Sequence, residues 1–146
     1  MKTMYPYLTF HGNCEAAFEF YKKVFGGEFS TLRRFSEIPP DLGEEMPENE
    51  KKKIMFVSLR LNNTTVLLGS DAGGEWGKDL NTGNNISLSV TTESRDEADK
   101  FFDELSKGGE VKMPIGDAFW GSYYGMCKDK YGINWMISYG EEETNN

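Results

Sequence analysis

The chain has 146 residues, a formal net charge of −8 and a 14% aromatic share, enough for one domain, or two small fused modules, with a real core. No basic stripe offers itself to a phosphate backbone, no apolar run is long enough to cross a bilayer, and no signal-peptide pattern opens the sequence. A cytoplasmic protein with no nucleic-acid and no membrane partner is therefore expected.

Tyr5 to His11 alternates, with Leu8 and Phe10 on one side and Tyr7, Thr9 and His11 on the other, which is the pattern of a half-buried strand. Gly12 and Asn13 break it, and Asn13 is placed to cap the helix that follows. Ala17, Phe20, Tyr21, Val24 and Phe25 then form one apolar stripe at helical spacing. Gly26 and Gly27 stop that helix. Glu28 to Phe35 reads as a second strand. Ser36 to Lys53 carries three prolines and many acids and reads as a mobile surface loop with a solvated face. Ile54–Leu61 and Thr64–Leu68 make a hairpin around Asn62 and Asn63. Asp71 to Asn84, rich in glycine and asparagine, is the place for a linker.

Asn85 to Thr91 alternates again, with Ile86, Leu88 and Val90 opposite Asn85, Ser87 and Ser89. Ser94 opens a helix with Glu97 placed for a capping box, and Ala98, Phe101, Phe102 and Leu105 form its stripe. Gly108 and Gly109 end it, and a strand starts at Glu110. The closing stretch from Met113 to Ser138 interleaves aromatics with Gly116, Gly121, Gly125 and Gly132. Glycines at that density cost too much backbone entropy for a long helix. Two short strands fit, Phe119–Cys127 and Ile133–Tyr139, joined by a turn over Asp129–Gly132. Cys14 and Cys127 stand far apart without a CxxC spacing, which points to reduced, buried thiols.

The chain repeats itself. AAFEFYKKVFGGE from Ala16 matches EADKFFDELSKGGE from Glu97, pairing Ala17 with Ala98, Phe20 with Phe101, Tyr21 with Phe102 and Val24 with Leu105. Each copy has a strand before the helix and about three after it. The expected fold is α+β: two βαβββ modules forming a curved, mainly antiparallel sheet cleft with helices outside. The first module spans 1–72 and includes loop 36–53. The linker is 73–84, the second module 85–140, and 141–146 a disordered tail.

YLTFHGNCEAAFEFYKKVFGGE, Asp71, GGEVKMP and DAFWGSYYGMCKDKYGINW, in that order, resemble the PhnB-like group of the vicinal oxygen chelate superfamily, which includes glyoxalase, bleomycin-resistance and extradiol dioxygenase proteins. The resemblance spans nearly the whole chain. It implies a homodimer and a divalent metal held by His, Glu or Gln. The matching positions here are Tyr5, Leu68 or Gly69, Asn85 and Met136, which are poor donors for such an ion. The expected cleft is metal-free. A divalent cofactor enters only under a different alignment, for example one that brings Asp71 and His11 together. The methyltransferase label carried by some of the group is discounted, because no Rossmann-type unit or phosphate-binding loop is present.

The remaining candidates for a binding cleft are Tyr5, Tyr7 and His11 from the first strand and Asn85 and Ser87 from the fifth. Phe119, Trp120, Tyr123, Tyr124 and Trp135 offer stacking surface for a planar ligand. The first reading is a homodimer that binds a small, partly aromatic molecule, as a bleomycin-resistance-type protein does. A metal-dependent lyase or dioxygenase, and a structural or regulatory dimer with a filled cleft, are the alternatives.

Overall fold

The period of two in the first strand decides which side of its sheet takes a helix. In the computed structural model, which describes residues 1–39, 41–42, 46–73 and 77–140, β1 spans Tyr7–Phe10. Leu8 and Phe10 are buried there, while Tyr7 and Thr9 are not. The strand is shorter than the expected Tyr5–His11 because the chain turns at Gly12, which has φ 106°.

Helix α1 spans Cys14–Phe25. Its buried side chains are Cys14, Ala17, Phe18, Tyr21 and Val24, so the stripe centres on Phe18 and Tyr21. Phe20 and Phe25 sit at its half-buried margin. Strands β2 (Glu28–Arg34), β3 (Ile54–Arg60) and β4 (Val66–Asp71) complete a sheet of order β1-β4-β3-β2. β1 runs parallel to β4, and the other pairs are antiparallel. Gly69 lets α1 approach, because a Cβ there would lie 2.6 Å from a ring carbon of Phe18.

Asn13 occupies the N-cap position of α1, but its side chain makes no capping bond. Asp71 does that work from the end of β4. Its Oδ1 accepts from the amides of Gly12 at 3.0 Å and Cys14 at 2.9 Å, and its Oδ2 from the amide of Ile54 at 2.9 Å. Among the described residues of 36–53, the segment expected as a mobile surface loop, there is regular structure. A 3-10 turn covers Phe35–Glu37 and a one-turn helix α2 covers Glu48–Lys51. Ion pairs Lys51–Glu48 at 3.1 Å and Lys53–Glu50 at 2.7 Å brace α2.

The chain divides into two units, Met1–Asn81 and Thr82–Asn146. In the second unit β5 (Leu88–Thr91), α3 (Arg95–Ser106), β6 (Glu110–Asp117), β7 (Tyr123–Lys128) and β8 (Asn134–Tyr139) repeat the first topology. The order is β5-β8-β7-β6, with β5 parallel to β8. Both units are therefore βαβββ modules with mixed four-stranded sheets. The expected disordered tail, 141–146, lies outside the described residues.

Ser94 caps α3, its Oγ accepting from the Glu97 amide at 3.0 Å. The reciprocal bond of the expected capping box goes one residue further back, from the Glu93 amide to Glu97 Oε1 at 3.2 Å. Ala98, Phe102 and Leu105 are buried, and Phe101 is half-buried. β5 starts later than expected. Asn134 Nδ2 holds the carbonyls of Gly83 and Ile86 at 3.2 Å, ahead of the ladder, and Ile86 is 74% exposed. β7 also starts late, because Gly121 with φ 98° turns the chain between Ala118 and Ser122. Phe119 and Trp120 belong to that turn and not to a strand.

Candidate functional site

Residues directly opposite each other on neighbouring strands share a face of the sheet. In the first unit Leu8 lies opposite Gly69 and faces α1, while Tyr7 lies opposite Leu68 and Thr9 opposite Ser70 on the other face. Tyr7 is 49% exposed, and its ring centroid stands 6.3 Å from that of Phe56. Phe56 was missed in the sequence, although its period-two relation to the polar Ser58 marks the same face. Tyr5 is half-buried just before β1, and His11 is exposed just after it.

In the second unit the rows Leu88–Trp135–Cys127 and Val90–Ile137–Gly125 lie on the α3 side. The rows Ser89–Met136–Met126 and Thr91–Ser138–Tyr124 lie on the open side. Trp135 is thus core and not a stacking surface. It is 1% exposed, and its indole N–H donates to Asp129 Oδ2 at 2.8 Å. The other Asp129 oxygen accepts from the amides of Tyr131 and Ile133 and shapes the β7–β8 turn.

Tyr123 also leaves the candidate group. Its hydroxyl donates to Asp99 on α3, and the Arg95 guanidinium lies 4.4 Å from its ring centroid. Arg95 in turn pairs with Asp117. The bond to Asp99 holds the phenol's pKa above its usual value. Tyr124, one residue on, points to the opposite face. Trp120 packs on Tyr124 with centroids 5.4 Å apart, and Phe119 meets Trp120 edge-on at 4.9 Å. Trp120 is 54% exposed and Phe119 97%, so three of the expected aromatics converge with open surface. Asn85 is exposed and Ser87 half-buried ahead of β5.

The positions matched to metal ligands do not fit a tight divalent site. Leu68 and Met136 lie on open faces, Gly69 lies under Phe18, and Asp71 spends both oxygens on amides. Among the described residues no group of three or more His, Cys, Asp or Glu is gathered in a way that can hold a metal ion. Both cysteines are buried free thiols. Burial, with Asp129 adding to it, pushes the Cys127 thiol up to about 11, and burial raises Cys14 further still. At neutral pH neither is a thiolate nucleophile.

Two βαβββ modules with this strand order define the fold class of the glyoxalase, bleomycin-resistance and dioxygenase proteins, and solved members of that class share it. Within the class, the chain belongs to the PhnB-like family described as 3-demethylubiquinone-9 3-methyltransferase, which matches residues 2–138. It is 30% identical over 139 residues to protein YjdN of Escherichia coli K12, covering 91% of this chain and 92% of that one. The crystal structure of PA1353 from Pseudomonas aeruginosa is similar at TM-score 0.80 and 30% identity, covering 97% of this chain and 100% of that one. A Bacillus cereus structure, called a putative 3-demethylubiquinone-9 3-methyltransferase and PhnB protein, matches at TM-score 0.77 and 25% identity, over 95% and 100%. Among the described residues no helix is long and apolar enough to cross a membrane.

Proposed function

We propose that this chain binds a small, partly aromatic molecule on the open face of its second sheet, without metal chemistry, as a cytoplasmic homodimer. One observation carries the reading: Trp120 packs on Tyr124 and Phe119 meets Trp120 edge-on, beside open sheet surface. Contiguous exposed aromatics of this kind mark ligand or partner sites. The kinship with bleomycin-resistance proteins supports a binding role, and the exposed Ile86 and Val111 support a second copy. The two buried thiols suit a reducing compartment.

The test is a titration of the intact protein with a panel of planar two-ring probes, followed by tryptophan emission. A saturable change is expected in the native chain and its loss in Trp120→Ala, with an unchanged far-ultraviolet dichroism spectrum. No saturable change with any probe overturns the reading. Stoichiometric nickel, zinc, manganese or iron in protein purified without chelator would favour a metal-dependent lyase or dioxygenase instead.

A further inference from the structure

We propose that the ligand's ring system seats on a row of three methionines, Met113, Met126 and Met136, and that the ligand carries one anionic group met at the Lys128 end of the same face. This rests on the binding reading above and narrows its substrate class. Met126 lies directly opposite Met136 on β7 and β8, and Met113 pairs with Met126 from β6 at a position flanked by a register shift on each side. In the regular β7–β8 ladder such paired positions bring Cβ atoms to about 5 Å of one another, and the bulges on either side of Met113 turn β6 locally so that Met113 joins the row. Three polarisable thioethers on flexible stems therefore form one plate. Methionine sulfur makes favourable contacts with aromatic rings and adapts to their shape. Met113 is exposed, and Met126 and Met136 are half-buried, so the plate is reachable.

The two ends of the plate differ. Tyr124 lies two residues from Met126 on β7, about 7 Å along the strand, and Trp120 packs on it to form an aromatic wall. Lys128 lies two residues the other way and has no ion pair among the described residues. Glu110 stands opposite Lys128 but is bound by Lys112 at 3.1 Å. Two ammonium groups against one carboxylate leave this end locally positive in a chain of net charge −8. A flat ring on the methionines, with an anionic substituent toward Lys128, matches both ends. A flat cation does not.

The intact protein, labelled with 13C at its methionine methyls and 15N at its indoles, is titrated with 2-naphthoate, 2-naphthol and N-methylquinolinium. Ring-current shifts are expected at Met113, Met126 and Met136 with 2-naphthoate, and none at Met1, Met4, Met46 or Met55. Lys128→Gln should raise the Kd for 2-naphthoate about three- to fivefold, the scale of an exposed ion pair, and leave 2-naphthol unchanged. Shifts at the Trp120 indole without shifts at the three methionines overturn this inference while the binding reading stands. N-methylquinolinium binding as tightly as 2-naphthoate, or no effect of Lys128→Gln on 2-naphthoate, overturns the charge assignment. No response at either label with any of the three probes counts against the binding reading itself.

Discussion

Asp71 satisfies three buried or part-buried amides with two oxygens. Asn at this position replaces one acceptor with an N–H donor facing another donor. Asp71→Asn should therefore cost about 2–3 kcal/mol, read as a lower urea midpoint with an unchanged slope. The thiols give a second outcome. The folded protein keeps the Cys127 proton where the unfolded chain loses it, because the folded pKa rises from 9.0 to about 11. Stability is thus unaffected by this group below about pH 9 and falls as pH rises toward about 11. Native protein at pH 8 should leave both thiols unreacted with a disulfide reagent, and urea should expose both. Fast native labelling would contradict the burial. At this scale the sequence was only partly legible. Asp71 acts on residues 57 and 59 positions away, and no local pattern announces that. Tyr123, Tyr124 and Trp135 were grouped as aromatics, yet consecutive strand residues cannot share a face, and only the helix position decides which one is core.

The helices read most clearly, since their stripes and glycine stops are local signals. Their fine rotation did not. Phe102, not Phe101, is the fully packed ring of α3. Phe102→Ala should destabilise by about 3–5 kcal/mol and Phe101→Ala by clearly less, measured as paired denaturation curves. Equal midpoints would show that α3 is rotated from this position. Strand ends are the least legible feature in the sequence. Phe119 and Trp120 have strand propensity, but Gly121 at positive φ turns the chain before β7 can begin. β4 runs on to Asp71, beyond the expected Leu68, because parallel pairing with β1 continues through Phe10.

At the level of the molecule, the internal repeat made the two βαβββ modules legible, because a duplicated pattern constrains topology more than any single strand does. Which residues share the open face of the second sheet was legible only in part, since that depends on register between distant strands. The donor set predicts that chelation leaves thermal stability unchanged. A native-state metal at a hundredfold excess over its Kd would contribute about 3 kcal/mol, so EDTA would lower the melting temperature by several degrees. A fall of that size, reversed by one divalent ion, would overturn the metal-free reading.

The parallel pairing of β1 with β4 also sets an order of assembly. β1 has no neighbour in its sheet until β4 is made, and the amides of Gly12, Cys14 and Ile54 gain their carboxylate acceptor only with residue 71. Closing so long a loop is slow relative to local hairpins. A chain truncated before β4 therefore lacks both the partner of β1 and the acceptor of these three amides. One aspartate, placed last, converts that half-built module into a closed one.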